Sequence, residues 1–471
     1  MKKLLSKDIL AVHRNFFSWM LLIFFTLILF IIIYKSEFQW AGKKRDYYFV
    51  YYIFTLSLIF LSLIGLVFSK QVKEYITIFL VTIFVTFYSF EIFASLNPSF
   101  FFKNVSNIKE KSKIYKKKTG KKFDKRSRFE IYNDLKNQNN DVVVTIHPSV
   151  YLNKKDIDIF PLSSASNTKT ILCNENGYYS IYESDRYGFN NPDDQWDQDQ
   201  IEYMLIGDSF VHGSCVNRPD DVSSVLRNLS KKTILNLGYE GSGPLIKYAT
   251  LQEYLKPNVK NILWFYTEIN DAIDFKNELN NDILKKYLRD KDFSQNLKNK
   301  QSLINNLSRS ILYNQVKKQD QFKFTNFLKL NKLRTFIHIY MLPEKSNPNY
   351  KDFKKEYSIS ILEFEELTKK FYYLAKRNNS KLYFIYLPTF YRYEKNFTKS
   401  HFEFIRSLDR NYTDIKSILG DLNIPIIDIN KGVFIKEKNP LKLYPFEKFG
   451  HLNVEGYKKI ANFIYTFTSK H

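Results

Sequence analysis

Three long apolar stretches near the amino terminus dominate the pattern of hydrophobic and polar positions. They are Phe16–Tyr34, Tyr47–Phe68 and Tyr75–Leu96, and Lys or Arg residues flank each of them closely. A helix of about 20 residues, rising about 1.5 Å per residue, spans a bilayer core of about 30 Å. A signal peptide has a shorter apolar core and a small-residue cleavage site, which these stretches lack. The pattern predicts three membrane-spanning helices in an anchor over residues 1–96, rather than buried helices of a soluble domain.

A polar, Lys-rich connector follows over residues 97–140, and its densest basic run lies between Lys103 and Arg128. The formal net charge of +23 raises the question of a nucleic-acid partner. Lys and Asn recur along the whole chain, however, and no zinc-finger spacing or other nucleic-acid motif is present. Because the run directly follows the third span, we expect it to contact the anionic headgroups of membrane lipids, with no nucleic acid as partner.

The pattern changes at residue 141, where short apolar runs begin to alternate with segments of helical spacing. The predicted strands are Val142–Ile146, Tyr203–Ile206, Thr233–Leu237, Asn261–Thr267, Lys381–Leu387 and Ile424–Ile429. The predicted helices are Pro219–Leu229, Pro244–Leu255, Phe364–Arg377, Thr413–Leu419 and Val454–Thr466. Such alternation predicts a parallel sheet with helices on both faces, in an α/β domain over residues 141–471. Residues 274–350 interrupt it as a helical insertion, which could be a lid, a substrate-binding element or a structural cap.

Four short polar blocks stand at strand ends or helix starts. They are Gly207-Asp208-Ser209-Phe210, Asn236–Pro244 with Gly241, Glu268-Ile269-Asn270-Asp271, and Gly450–Tyr457 with His451. The first block is not the G-x-S-x-G elbow of α/β-hydrolases. In order and placement the four blocks resemble those of the SGNH (GDSL-type) hydrolase family, over about residues 200–471. The resemblance implies a three-layer α/β/α, flavodoxin-like domain.

The resemblance also implies roles for individual residues. Ser209 would be the nucleophile and His451 its general base and acid, since a Ser hydroxyl needs a neighbouring imidazole to take its proton. The oxyanion donors would be the backbone N–H groups of Ser209 and Gly241 and the side-chain amide of Asn270. Asp208 and Asp271 would support them, and neither a metal nor a cofactor is required. Taken singly, the blocks could also be ordinary turn glycines and helix caps.

Two positions depart from the family pattern. Glu268 stands where the family usually has Gly, and Lys448 stands where it usually has the Asp that orients the catalytic His. Glu447 or a backbone carbonyl could hold the imidazole of His451 instead; otherwise a Ser–His dyad remains. A missing acid lowers the rate of such an enzyme without abolishing it, and it also raises the prospect of an inactive domain.

The chain has two cysteines, Cys173 and Cys215, and both lie in the domain that carries the four blocks. In an oxidising compartment they could form a disulfide that closes a loop of about 40 residues. Two unpaired buried thiols are the alternative.

The chain also resembles bacterial envelope proteins that modify surface polysaccharides. This wider resemblance depends on the three spans and on Tyr187–Pro192, which precedes the Gly-Asp-Ser block. It implies a multi-pass protein of the cytoplasmic (inner) membrane acting on an acylated glycan. Lys and Arg counts around the short loops favour a periplasmic domain, whereas the basic run after the third span argues against it. We expect a serine esterase. The alternatives are an O-acyltransferase, which would need a separate acyl-donor membrane protein, and an inactive membrane-tethered protein for glycan binding or assembly.

Overall fold

The computed structural model describes residues 19–42, 44–67, 70–97, 103–138, 140–152, 154, 157–337, 359–394 and 398–470. The chain divides into two compact units. The first contains Met1–Phe101 and Thr325–Met341, and the second contains Phe102–Phe324 and Leu342–His471. The first three residues of the predicted first span, Phe16–Ser18, lie outside the described residues, as does Phe68 at the end of the second.

The first unit is built on three long helices, Trp19–Gln39, Arg45–Val67 and Lys70–Leu96. Each contains a stretch long and apolar enough to cross a membrane, and at most 22% of the residues in these stretches are buried. Large apolar side chains such as Phe30, Phe60 and Phe84 point outward, as expected of surfaces that meet lipid. The prediction of three helices able to span a membrane is confirmed.

A carboxylate inside the third of these helices is paired with part of the predicted insertion. Glu91 is 2% exposed and accepts hydrogen bonds from the backbone N–H groups of Lys332 (3.0 Å) and Leu333 (2.9 Å), in the short helix Asn331–Phe336. In the same helix Arg334 donates to the hydroxyl of Tyr47 at 2.8 Å. Polar groups within apolar helices require such partners. This part of the insertion therefore packs with the long apolar helices of the first unit.

A five-stranded parallel sheet organises the second unit. Its strands are β4 (Ile201–Ile206), β5 (Ile234–Asn236), β6 (Val259–Thr267), β7 (Lys381–Leu387) and β8 (Ile426–Asp428). They lie in the order β5-β4-β6-β7-β8, so that Leu205 of β4 pairs with Asn236 on one side and Leu263 on the other. The first strand in sequence is therefore second in space, which is the flavodoxin-like order 2-1-3-4-5. The predicted doubly covered parallel sheet is confirmed.

Helices cover both faces of this sheet, and two hydrophobic clusters fill the space beneath them. Adjacent residues of β6 point to opposite faces, so Trp264 belongs to one cluster and Phe265 to the other. The α-helices in the described part of this unit are Lys103–Thr119, Arg128–Asn137, Ser149–Leu152, Ser209–His212, Val222–Ser230, Pro244–Tyr254, Asn270–Glu278, Asp282–Arg289, Ile361–Arg377, Lys399–Asp421, Ile429–Gly432 and Val454–Thr468, together with Gln301–Leu328, whose last four residues belong to the first unit. The helix predicted over Thr413–Leu419 is thus the last part of a longer one.

A second, three-stranded sheet precedes the first along the chain. It consists of β1 (Val142–Val144), β2 (Lys169–Ile171) and β3 (Ile181–Glu183), with β1 parallel and β3 antiparallel to β2. The segment between β2 and β3 forms a hairpin, in which Leu172 and Ser180 remain paired by a backbone hydrogen bond of 3.0 Å. The sequence predicted β1 but neither strand of this hairpin.

The predicted connector belongs to the second unit from Phe102 onward, and its first residues, 97–101, belong to the first unit. A capping box of Ser127 and Glu130 starts its helix Arg128–Asn137. Tyr115 and Phe123 pack edge to face against each other, and both rings contact Phe446 near the end of the chain. Contact between the basic run and lipid headgroups stays a prediction.

Candidate active site

Ser209 lies directly beyond the carboxyl end of β4, at the first position of the helix Ser209–His212. Asp208 caps this helix by accepting a hydrogen bond from the backbone N–H of Phe210 at 3.0 Å. The strand can turn sharply here because Gly207 has no side chain: an added Cβ would lie 2.2 Å from Val211. The turn holds the Ser209 side chain at a fixed place, 7% exposed, at the edge of the sheet where parallel α/β folds bind their ligands.

His451 meets this serine from the last loop of the chain. Its Nε2 lies 2.8 Å from Ser209 Oγ, although the two residues are separated by 242 positions in sequence. The loop is fixed by Asn453, which caps the helix Val454–Thr468 through the backbone N–H of Gly456. The two residues predicted as nucleophile and base are therefore within hydrogen-bonding distance.

The acid behind the imidazole is Glu175, a residue that the sequence did not single out. Glu175 Oε1 lies 3.1 Å from His451 Nδ1, and its Oε2 accepts the backbone N–H of His451 at 2.6 Å. Glu447 does not make this contact; its carboxylate accepts a hydrogen bond from the side chain of Asn439 at 3.2 Å. With a carboxylate at Nδ1, that nitrogen carries the proton and Nε2 is left to accept the hydroxyl proton of Ser209.

The charges of this pair stabilise each other. Burial disfavours the ionised carboxylate of Glu175, but the hydrogen bonds and charge of His451 outweigh that effect and lower the pKa of Glu175. Burial likewise disfavours the imidazolium of His451, but the hydrogen bond and charge of Glu175 outweigh it and raise the pKa of His451. Glu175 is thus held ionised beside a base whose proton affinity it increases.

Gly241 lies in the loop that follows β5, the edge strand next to β4. The loop is tied to the first block by the backbone N–H of Tyr239, which donates to the carbonyl of Gly207 at 3.1 Å. Gly241 has a φ of 74°, and an added Cβ would lie 2.1 Å from Nε2 of His147. Only glycine fits this backbone comfortably.

A buried imidazole also holds this loop. Nδ1 of His212 accepts the backbone N–H of Glu240 at 3.2 Å, and Nε2 lies 2.8 Å from the hydroxyl of Tyr182. Burial lowers the pKa of His212 to about 3, so the ring stays neutral and keeps the lone pair that this contact needs. Neither His212 nor His147 was among the residues predicted from sequence.

Asn270 starts the helix after β6, and its side-chain amide donates to Asp208 Oδ2 at 3.3 Å. The three loops after β4, β5 and β6 therefore bring Ser209, Gly241 and Asn270 to the same edge of the sheet. Roles as oxyanion donors stay predictions for these residues.

The remaining acidic residues of this block serve other contacts. Asp271 is fully buried, forms an ion pair with Lys247 and accepts the backbone N–H of Thr267 at 2.7 Å; burial raises its pKa to about 8. Asp271 therefore stabilises the end of β6. Glu268, which departs from the family pattern, forms a buried ion pair with Arg392. Burial raises the pKa of Glu268 despite that ion pair.

Cys173 and Cys215 form a disulfide next to the imidazole, with their Cα atoms 4.9 Å apart. Sγ of Cys215 lies 3.9 Å from Nδ1 of His451. Ligand atoms of these three residues lie within 4.8 Å of one another, a spacing that would suit a metal ion. Sulfurs joined to each other are not thiolates, however, so this cluster does not offer the ligands that zinc requires.

Comparisons with known proteins complete the description of the site. No protein-family model matches the sequence, and no curated protein matches it. A protein described as lipolytic and of the G-D-S-L family, from Desulfitobacterium hafniense DCB-2, is structurally similar, with 15% identity and a TM-score of 0.31 over 57% of this chain and 99% of that one. An acetylxylan esterase from Geobacillus stearothermophilus is similar with 14% identity and a TM-score of 0.30, over 56% of this chain and 92% of that one. At such scores these likenesses carry no argument, and the fold is defined by the strand order itself: the second unit has a flavodoxin-like α/β/α fold.

Proposed function

We propose that this protein is a membrane-anchored serine esterase that removes O-acyl groups, acetyl above all, from a cell-envelope glycan. One observation carries the proposal: an unbroken line of contacts from Ser209 Oγ to His451 Nε2 (2.8 Å) and from His451 Nδ1 to Glu175 Oε1 (3.1 Å). A hydroxyl, an imidazole and a carboxylate in this order form the arrangement that activates serine for attack on an acyl carbon.

The reaction proceeds in two halves. In the first, Nε2 of His451 takes the hydroxyl proton as Ser209 Oγ attacks the ester carbonyl, and the carboxylate of Glu175 stabilises the imidazolium that forms. The N–H groups of Ser209 and Gly241 and the amide of Asn270 donate to the oxyanion. The imidazolium then protonates the departing alcohol, which leaves an acyl-serine. In the second half His451 takes a proton from water, the resulting hydroxide equivalent attacks the acyl-serine, and the carboxylic acid is released as Ser209 regains its proton.

Two further features support the location. Three helices able to cross a membrane fit an enzyme that works at the cell envelope. A disulfide between Cys173 and Cys215 fits an oxidising compartment, and so a second unit outside the cytoplasm of a bacterial cell. We infer a glycan substrate from the resemblance to envelope proteins that modify polysaccharides.

The test of activity uses the full chain in detergent with an aryl acetate and with acetylated xylan. We expect the native protein to release acetate from both substrates and the Ser209→Ala variant to release none above background. Ser302→Ala, an exposed serine on the helix Gln301–Leu328, is the matched control and should keep full activity. Release of acetate at the same rate by Ser209→Ala would overturn the proposal. Transfer of the acetyl group to an added sugar, without release of free acetate, would show that the protein is an acyltransferase instead.

The location has a separate test. A reporter that is active only in the periplasm, fused after the last residue, should be active in intact bacteria. A stable fusion that stays silent would place the second unit in the cytoplasm.

A further inference from the structure

The acid of the triad comes from an unusual part of the fold. Ser209 and His451 follow elements of the five-stranded sheet, whereas Glu175 sits in the hairpin between β2 and β3 of the separate three-stranded sheet. Nothing in the strand order of the larger sheet places Glu175 beside His451. Its position depends on how the hairpin is attached to the segment that carries the nucleophile.

Next to Glu175 that attachment is made to Cys215, six residues after Ser209. The disulfide joins Cys215 to Cys173, two residues before Glu175. One residue after Glu175, the side chain of Asn176 donates to the backbone carbonyl of Cys215 at 2.9 Å. Glu175 is therefore flanked on both sides by bonds to the same residue. Cys215 itself is fully buried.

Strand β3, at the far end of the hairpin, is bonded to the nucleophile segment separately: the hydroxyl of Tyr182 lies 2.8 Å from Nε2 of His212, and the backbone N–H of Ile181 donates to the side chain of Asn217 at 3.0 Å. Asn174 accepts the backbone N–H of Gly177 at 2.9 Å, and its amide donates to the carbonyl of Asp124 at 2.7 Å. These bonds shape the turn that carries Glu175. Without the covalent link, residues 173–176 would be held to Cys215 by the hydrogen bond of Asn176 alone, and to His451 by the bonds of Glu175.

We propose that the Cys173–Cys215 disulfide is a positioning element of the catalytic site, which holds Glu175 against His451 and makes esterase turnover depend on the oxidised state of this cysteine pair. The inference rests on the proposed function. It assigns the two cysteines no contact with substrate; they act through Glu175.

The chemistry of the switch is ordinary thiol–disulfide exchange. A dithiol reductant supplies two electrons and two protons: the S–S bond breaks, Cys173 and Cys215 become thiols, and the reductant closes into its own disulfide. Reoxidation reverses the exchange. Once released, the hairpin can move away from the imidazole, and displacement of a catalytic group by about 1 Å can lower a rate by about 100-fold.

The test is a double-mutant cycle on aryl acetate hydrolysis. Its four forms are the native protein, the Cys173→Ser/Cys215→Ser variant, Glu175→Gln, and all three substitutions together. We expect loss of the disulfide to lower kcat by about 10-fold to 100-fold in the presence of Glu175, with little change in KM, and to have almost no further effect in Glu175→Gln. Equal losses in both backgrounds would show that the disulfide acts on the general fold, and would overturn the proposal.

Reduction of the native protein avoids any failure of the double cysteine variant to fold. Dithiothreitol should lower kcat reversibly in the native protein and leave kcat of Glu175→Gln unchanged; unchanged kcat in fully reduced native protein would overturn the proposal. Asp208, Glu240 and the neutral His212 also interact electrostatically with His451, and none of them belongs to the hairpin. Release of Glu175 alone should therefore move the acid limb of the pH profile to lower pH, because the carboxylate no longer raises the pKa of His451.

If the oxidised protein shows neither activity nor labelling of Ser209, the proposed function itself fails, and this inference fails with it.

Discussion

Replacement of Glu175 by Gln is the sharpest test of the residue roles. The change keeps the size of the side chain but removes the charge that faces Nδ1 of His451 at 3.1 Å. The amide can also offer an N–H to Nδ1, which would favour the ring tautomer that carries its proton on Nε2. That tautomer cannot accept the hydroxyl proton of Ser209.

The size of the effect follows from these two losses. A hydrogen bond to a charged group contributes about 1.5–3 kcal/mol, which corresponds to about 10-fold to 150-fold in rate. The Glu175 side chain is 25% exposed, so solvent screens part of the charge and the lower half of that range applies to the bond alone. The wrong tautomer adds to the loss, as it does when the orienting acid of a serine protease is replaced by its amide. We expect kcat to fall by about 10²-fold to 10⁴-fold, with KM changed by less than about threefold.

Steady-state hydrolysis of an aryl acetate measures both constants. The matched control is Glu447→Gln, since the sequence made Glu447 a candidate for the same role and the structure pairs it with Asn439 instead. This control should keep kcat within about twofold of the native value, as surface substitutions usually do. A Glu175→Gln variant with near-native kcat, or a Glu447→Gln variant with the larger loss, would refute the assignment of the acid.

Three further predictions concern the same site. Asn270→Ala should lower kcat by about 10²-fold to 10³-fold if the amide is an oxyanion donor, and an unchanged kcat would exclude that role. Gly241→Ala should lower kcat without unfolding the protein, because the added Cβ would lie 2.1 Å from His147 and force the loop to shift; the melting temperature separates the two effects. The pH profile of kcat/KM should rise through a pKa above the ordinary imidazole value of 6.5, since His451 must lose its proton and Glu175 raises its pKa. In Glu175→Gln this limb should move to lower pH, and an unmoved limb would mean that another group titrates.

Much of the fold and part of the site could be predicted from sequence because their signals are local. The strands of the five-stranded sheet are buried apolar runs, and Ser209, Gly241, Asn270 and His451 each stand in a short block next to a strand or a helix. Blocks that follow neighbouring parallel strands meet at one edge of the sheet, so their order along the chain was enough to predict that they come together.

Glu175 could not be found in this way. It lies 276 residues from His451, in a hairpin of two very short strands, and no local pattern marks it. The one available signal was indirect: Cys173 precedes Glu175 by two residues, so pairing with Cys215 near Ser209 would bring Glu175 to the nucleophile. That pairing remained one of two alternatives, because sequence does not show whether two sulfurs meet.

The insertion over residues 274–350 shows a similar limit. Its helical character follows from its composition and its lack of glycine. The helices against which it packs could not be predicted in this way. The bonds from Lys332 and Leu333 to Glu91 involve backbone N–H groups, which every sequence supplies equally. Only the folded chain shows that this part of the insertion packs with the long apolar helices of the first unit.

The central claim is that Ser209 is a nucleophile activated by His451. A fluorophosphonate probe followed by peptide mass spectrometry tests it directly, because the probe forms a covalent adduct only with an activated serine. We expect one adduct, on the peptide that contains Ser209, with labelling lost in Ser209→Ala and strongly slowed in His451→Ala. An unlabelled protein, or equal labelling of Ser209→Ala, would contradict it.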